Sequence, residues 1–341
     1  QERMLVITNK KKLPKLKQIC TKFRINCSVI GYVTDDKMMH VKKEGKTLAL
    51  LPAEFVARAP LLDRKKTKPK YLQNIGLERK VKKILNYSEL VLKLLASPNI
   101  VSKDWVFRQY DHEVGIRTSV KPGFDASVLR LDNGKFLSAK IDGNPKHCYL
   151  DPRQGAIGCF EEACRNVICT GANPIGMVDH LQFGNPEDPE IFWTFMESIE
   201  GLTEYAKFLR IPCVGGKVSF YNETTLGPIK PTPLIGVLGI IDKTPLTIIP
   251  PSHGDYLVII GETKNELGGS EYYEYIHKFV GGICPTVDFK DSKTNMLVVL
   301  SLIKNKLAKS VHDCSKGGVV TANSELSIFG NIGCNINIEK L

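Results

Sequence analysis

Residues 127–141, SVLRLDNGKFLSAKI, decide the fold. Two apolar runs, Ser127 to Leu131 and Phe136 to Ile141, flank Asn133-Gly134, a dipeptide whose members both favour positive φ, so the segment predicts a β-hairpin. Downstream, Gly155 to Cys169 is apolar at Ile157, Phe160, Cys164 and Val167 or Ile168, which is helical spacing. Phe192 to Leu209 repeats that pattern at positions 192, 195, 196, 199, 202, 206 and 209, and Leu234 to Ile241 is an uninterrupted apolar strand. Strands alternating with amphipathic helices place this part of the chain in the α/β (α+β) class.

Outward from that core the pattern is weaker. Towards the N-terminus, Met4 to Thr8, Cys27 to Val33, His40 to Val41 and Thr47 to Leu51 read as strands and Leu16 to Phe23 as a helix, a small α/β unit. The stretch from Ala59 to about Val120 is rich in Lys, Pro and polar residues around one apolar helix near Leu90 to Leu95, and reads as connector. After Pro250-Pro251-Ser252-His253-Gly254, a plausible boundary, come a strand at Tyr256 to Ile260, a helix near Met296 to Leu307 and a strand at Cys334 to Ile338. The first residue is not Met and the last apolar segment meets the end of the chain, so a fragment is expected.

The whole-chain balance narrows the function classes. With 341 residues, 43% hydrophobic and 24% charged, the chain has room for more than one core, and no run approaches the roughly 18 apolar residues of a membrane span. The net charge of +11 is concentrated in residues 1–110, where 25 Lys/Arg face 9 Asp/Glu. Runs such as Arg64-Lys65-Lys66-Thr67-Lys68 lack interleaved aromatics and any reading motif, so they predict a solvated basic face and no nucleic-acid partner. Ten cysteines without a CxxC pair are expected to be reduced core thiols, and Gln1-Glu2-Arg3-Met4 does not open like a signal peptide, which predicts a cytoplasmic protein.

Chemistry is sought among hard oxygen donors and glycine-bearing loops. Asp125, Asp142, Glu162, Asn166, Asp179 and Asp313 sit in glycine-rich surroundings and suit Mg²⁺; Glu162 and Asn166, four apart on a helix, share one face, although an i,i+4 solvent pair is the plain alternative. That helix stops sharply at Cys169-Thr170-Gly171-Ala172-Asn173-Pro174, before the strand carrying Asp179. In VGGKVSFYNE, residues 214–223, paired glycines would let backbone approach a phosphate while Lys217 and Ser219 offer a charge and a hydroxyl; the alternative is a simple turn, and GxxxxGK[ST] is absent. LGGSE from Leu267 and HDCSKGG from His312 are further loops ahead of helices, whose free N–H groups bind anions. His312 beside Asp313 lacks a nucleophile elbow and reads as structural; His147, His180, His253 and His277 have no ligand spacing and receive no role.

Taken together, the opening QERM, LLASPNI from Leu94, QYDHEV from Gln109, CYLDP from Cys148, FGNPE from Phe183, VSFYNE from Val218, LGGSEY and HDCSKGG resemble, in order, the PurL-type synthetase subunit of phosphoribosylformylglycinamidine synthase. That family has two similar halves, each an aminoimidazole-ribotide-synthetase-like domain pair, about a pseudo-twofold axis. The resemblance implies a truncated second half: 1–70 the end of a first-half C-terminal domain, 71–120 connector, 121–245 an N-type domain and 246–341 a shortened C-type domain. It implies ATP and Mg²⁺ as cofactors, formylglycinamide ribotide as substrate, and a PurQ-type glutaminase and a small PurS-type subunit as partners. By position it assigns Asp179, Gly216 and Lys217 to ATP, Gln1 and Ser219 to the ribotide, and Asp142, Glu162, Asn166 and Asp313 to an auxiliary metal-bearing nucleotide site. Lys217 replaces the family's usual Asn, and an ammonium has no lone pair for a metal. No catalytic residue is expected within the chain, because the family's catalytic histidine lies in the first half. A thiamine-monophosphate-kinase-like enzyme, which would share the features at Asp125 and Asn166 to Pro174, and a non-catalytic nucleotide-binding scaffold that docks a glutaminase are the competing readings.

Overall fold

The computed structural model describes residues 3–58, 62–246, 249–337 and 339, and the chain divides into two compact units, Gln1–Asp63 and Arg64–Leu341. In the first, helix α1 (Leu13–Lys22) precedes an antiparallel hairpin of β1 (Met38–Lys43) and β2 (Lys46–Pro52), then a short α2 (Ala53–Ala57). The expected strands at Met4 to Thr8 and Cys27 to Val33 do not form. Their side chains are largely exposed, Met4 at 93% and Tyr32 at 89%, and no neighbouring strand among the described residues pairs with them. High β-propensity without a ladder partner leaves an extended segment, not a strand.

In the second unit, α3 (Leu72–Ile75), α4 (Tyr87–Leu95) and α5 (Asp104–Phe107) lead into β3 (Thr118–Val120), β4 (Ser127–Arg130), β5 (Phe136–Asp142), α6 (Pro145–Leu150), α7 (Pro152–Cys169), β6 (Asn173–Gln182), α8 (Pro189–Leu209), β7 (Cys213–Ser219), a two-residue pair β8 (Glu223–Thr224) and β9 (Gly227–Pro228), and β10 (Thr232–Ile241). A six-stranded sheet has the order β3-β4-β5-β10-β6-β7, antiparallel except for the parallel pair β6·β7. Beyond it stand α9 (Phe289–Lys304) and α10 (Gly318–Gly330). Tyr256 to Ile260 and Cys334 to Asn337 are irregular where strands were expected, again exposed and unpaired among the described residues, and Ile338 lies outside them.

Local chemistry fixes the helix starts. Asn144, Asp151 and Asp188 each precede a proline, and their side chains accept from backbone N–H groups of His147, of Arg153 and Gln154, and of Glu190. The proline loses no hydrogen bond at the first helical position and its φ is already helical. Helices α7 and α8 cover one face of the sheet and bury Ile157, Phe160, Val167, Phe195, Leu202 and Tyr205 against Met177, Ile235 and Val237. All ten cysteines are free, but only Cys148, Cys159, Cys164, Cys169 and Cys284 are buried; Cys27, Cys213, Cys314 and Cys334 are exposed, so the expectation of core thiols fails for residues in irregular segments and on an edge strand. No described helix is long and apolar enough to cross a membrane.

Candidate functional site

Strand register puts Asp142, Ile235, Asp179 and Gly216 in one row across β5, β10, β6 and β7. Because side chains alternate along a strand, the row faces α7 and α8, as do the buried Met177 and Leu181 two residues either side of Asp179. Asp179 lies hard against Gly216: a Cβ built there would sit 2.3 Å from Asp179 Oδ1. Asp179 also lines a cleft of about 460 Å³ between β6, β7 and α8, together with Met177, Leu202, Lys207, Arg210 and Cys213.

The structure therefore joins Asp179 to Gly216 but revises the reason for the glycines. Gly215 and Gly216 are not a phosphate loop; they lie inside β7, paired with Val178 and Asp179 and without positive φ, and Gly216 lacks a side chain because the Asp179 carboxylate occupies that space. Lys217 pairs with His180 and Ser219 with Gln182, so alternation sends both to the opposite face from Asp179. Since β7 is the sheet edge, only a ligand lapping over that edge would meet all four. Gln1 lies outside the described residues.

Beyond β7 two of the quoted motifs interlock. Tyr221 N–H donates to Gly184 O and Asn222 N–H to Phe183 O, at 3.0 and 3.1 Å. The Asn222 amide donates to Phe183 O and Ser219 O, and Asn185 N–H donates to Glu223 Oε1. FGNPE and SFYNE are one folded unit, which orients Ser219.

A second cluster forms at the end of β5 and brings Asp142, Glu162, Asn166 and Asp313 together. Asp142 ends the strand, Glu162 and Asn166 occupy successive turns of α7, and Asp313 comes from the HDCSKGG loop before α10. Lys316 of that loop places Nζ 3.5 Å from Asp142 Oδ1 and 3.6 Å from Glu162 Oε1. Arg165 pairs with Asp313 at 3.3 Å and with Glu161, and the Asn166 amide donates to Asp313 Oδ2 at 3.2 Å and to Glu162 O at 2.7 Å. His312 meets Asp125 through Nδ1 and Glu325 through Nε2, both at 2.9 Å, which fits the structural role expected of it.

Burial, with the like charge of Asp142 next, pushes Glu162 up to about 7 against the pull of Lys316. Burial likewise lifts Asp313 to about 6, opposed by Arg165 and helped by Asp125. Burial disfavours charge on His312, but its bonds to Asp125 and Glu325 outweigh that and hold it at about 10, an imidazolium at neutral pH. Burial also works against ionised Asp125, yet the His312 bond keeps its pKa below the usual carboxylate range.

These donors do not fit a bare divalent ion. Asp142, Glu162 and Asp313 already meet Lys316 and Arg165, and Asn166 presents its NH₂ to Asp313 in place of an oxygen. Asp142 Oδ2 is the one cluster carboxylate oxygen that is buried and without a hydrogen-bond partner among the described residues.

The LGGSEY loop completes this end of the sheet. Lys146 of α6 is buried in ion pairs with Glu271 and, at 2.9 Å, with Glu274, and Asn99 also donates to Glu271. Gly269 lies against the His147 ring, which meets the Asn144 amide through Nδ1 at 3.1 Å. Sequence reasoning missed Lys316, Arg165, Lys146 and His147; only Lys316 carried a local signal, as the cation inside a glycine loop already singled out.

The fold and these loops define an AIR synthase related protein: the N-terminal domain of that family matches residues 123–241 and its C-terminal domain residues 252–341. The chain belongs to the PurL family of phosphoribosylformylglycinamidine synthase subunits. It is 41% identical over 347 positions to PurL of Methanobrevibacter smithii, covering 100% of this chain and 48% of that protein, and 39% identical over 341 positions to PurL of Pyrococcus horikoshii, covering 99% and 47%. The chain thus spans about half the length of the curated relatives it matches. Thermotoga maritima PurL in the PurLQS structure aligns with a TM-score of 0.56 at 25% identity, over 69% of this chain and 37% of that one. The same protein complexed with ADP aligns at 0.55 and complexed with FGAR at 0.52, each at 25% identity, over 69% of this chain and 37% and 36% of those chains.

Proposed function

We propose that this chain contributes to the ATP-dependent conversion of formylglycinamide ribotide (FGAR) and glutamine-derived ammonia into formylglycinamidine ribotide, ADP and phosphate, in cytoplasmic purine biosynthesis. The observation that carries this reading is the tight pairing of Asp179 with Gly216 at the sheet edge, beside the interlocked FGNPE and SFYNE segments, in a chain alike to PurL from end to end. T. maritima PurL complexed with ADP and with FGAR supports these ligand classes.

An amide oxygen is a poor leaving group, so the formamide oxygen is phosphorylated first and ammonia then displaces phosphate. The residues here bind and orient. The Asp179 carboxylate accepts hydrogen bonds from nucleotide donors, Lys217 neutralises phosphate charge, and Ser219, held by the Asn222 turn, bonds the ribotide. Where ATP is bound as its magnesium complex, the ion would shield phosphate charge; Lys217, an ammonium without a lone pair, would take no part in holding it. The Asp142 cluster is a structural counterpart of the nucleotide site. The catalytic histidine belongs to the other half of the enzyme, so this chain alone has no turnover. PurQ-type and PurS-type subunits are the proposed partners, in line with the PurLQS structure of T. maritima.

Calorimetry with ATP and with FGAR, on the chain and on Asp179→Ala, tests the proposal. Binding of both, with ATP weakened at least about tenfold by the substitution, is expected; no ATP binding, or none that depends on Asp179, refutes the site. Binding of nucleotide without ribotide favours the scaffold reading, for which Lys217 in place of a metal-binding Asn is the supporting feature. Amidine formation from ammonia at rates typical of the intact enzyme would refute the requirement for the other half.

A further inference from the structure

We infer that Lys316 is a tethered counterion that replaces a divalent cation between Asp142 and Glu162, so that this pair is held by the chain's own charge and takes up no metal. Five carboxylates, Asp125, Asp142, Glu161, Glu162 and Asp313, converge between the end of β5, helix α7 and the HDCSKGG loop. Each meets a cation supplied by the chain: Asp125 meets His312, Asp313 and Glu161 meet Arg165, and Asp142 and Glu162 share Lys316. The Lys316 ammonium is nearly equidistant from the two oxygens, at 3.5 and 3.6 Å, where a shared ion would be expected to lie.

Two features make the replacement exclusive. Asp142 and Glu162 retain only 8% and 16% side-chain exposure, so an ion meeting both beside Lys316 would have to shed most of its water, which Mg²⁺ does reluctantly. Mg²⁺ also demands several oxygens at 2.0–2.1 Å in octahedral array. To assemble them it would have to expel an ammonium whose own charge is stabilised, against burial, by Asp142 and Glu162.

The arrangement gives the cluster a mechanical task. His312, Asp313 and Lys316 lie in the segment matched by the family's C-terminal domain, and Asp125, Asp142, Glu162 and Arg165 in that matched by its N-terminal domain. The salt-bridge network therefore clasps one domain to the other, and with a lysine in place of an ion the clasp does not depend on metal supply. This holds whether or not the nucleotide assignment at Asp179 is right.

The test uses the full chain without nucleotide. Mn²⁺ uptake is followed by the electron paramagnetic resonance of the free ion, in wild type, Asp142→Asn, Lys316→Ala, Lys316→Arg and the Asp142→Asn/Lys316→Ala double variant. Wild type and Lys316→Arg are expected to show no uptake that Asp142→Asn removes. Lys316→Ala gains a site, at least about tenfold tighter than any in wild type, that the double variant lacks. Melting with and without Mg²⁺ should move wild type by less than about 1 °C and Lys316→Ala by more than about 2 °C. A wild-type Mn²⁺ site abolished by Asp142→Asn overturns the inference, as does a folded Lys316→Ala that gains nothing. Lys316→Ala that folds only with the ion supports it. If that variant folds under no condition, the wild-type and Asp142→Asn comparison decides alone, absence of an Asp142-dependent site supporting the inference and its presence overturning it.

Discussion

Acidification should loosen the docking of the LGGSEY loop through one side chain, His147. The ring is mostly buried on α6, with the Asn144 amide at Nδ1 and Gly269 against its edge. Burial, then the charges of Lys316 and Lys146, hold its pKa down at about 4, against 6.5 for an ordinary histidine. The unfolded chain takes up this proton first, so the contribution of neutral His147 is complete above about pH 6.5 and is lost as the pH falls towards 4. A depression of about 2.5 units at 1.36 kcal/mol each is worth about 3 kcal/mol, of which about 2.5 kcal/mol is gone by about pH 4.5. His147→Gln keeps a polar side chain that does not titrate, so the difference between the two proteins isolates this one proton from the carboxylates titrating nearby. Both tryptophans, Trp105 and Trp193, lie in the second unit, and urea unfolding followed by their fluorescence reports on that unit. The stability of wild type relative to the variant should fall by about 2.5 kcal/mol between about pH 7.5 and pH 4.5. A difference unchanged within about 0.5 kcal/mol would refute the reasoning, since a buried neutral imidazole cannot be indifferent to acid.

Two glycines give contrasting expectations. At Gly269, φ is +68° and a Cβ would stand 2.7 Å from His147 Cδ2, so Gly269→Ala combines a left-handed backbone penalty with a clash, about 2–3 kcal/mol together. Its melting temperature should drop by about 5 °C or more, and a melt indistinguishable from wild type would show that the loop does not rest on His147. At Gly216 the backbone is ordinary and the cost falls on a side chain: the new methyl displaces the Asp179 carboxylate. Gly216→Ala should lose at least about tenfold in ATP affinity by calorimetry while melting within a few degrees of wild type, and unchanged affinity would separate Asp179 from nucleotide binding.

What was legible in the sequence followed how local each interaction is. The helix starts at Asn144, Asp151 and Asp188 are written in adjacent residues, an acceptor followed by proline, but apolar periodicity alone began two of these helices three residues late, at Gly155 and Phe192, and passed over α6. The hairpin was located correctly but its turn was not. Leu131 N–H bonds Lys135 O and Gly134 N–H bonds Leu131 O, and of the two turn residues only Gly134 has positive φ, at +79°. This is a three-residue loop closed by a left-handed glycine, not a two-residue turn. The unformed strands failed for a different reason: an apolar run states that a segment can pair, and its partner is a property of the rest of the protein. The glycine pair at 215 and 216 was ambiguous in kind, because a glycine that frees the backbone and one that makes room for a neighbour are written identically. Nothing near His147 or Lys146 announces Gly269 or Glu271, more than 120 residues away.

The row that carries Asp142 and Asp179 also shows how one sheet can hold two unlike sites. The two carboxylates face the same way on strands separated only by β10, about 10 Å apart at the strand spacing of a sheet. Asp142 meets the chain's own Lys316, whereas Asp179 has no ion pair among the described residues, although Lys207 and Arg210 line the same cleft and Cys213 Sγ stands 3.6 Å from its Oδ2. A carboxylate so placed repels phosphate; alone it cannot grip a triphosphate. On the proposed reading Asp179 therefore receives the donor end of a nucleotide, a hydroxyl or amino group, and phosphate charge is met by Lys217 and by the ion that ATP brings. The difference between the sites then lies in what the cations meet: at Asp142 the chain's own Lys316 is taken up by carboxylates, and along the Asp179 edge Lys207, Arg210 and Lys217 form no ion pair among the described residues and are open to the charge of a ligand.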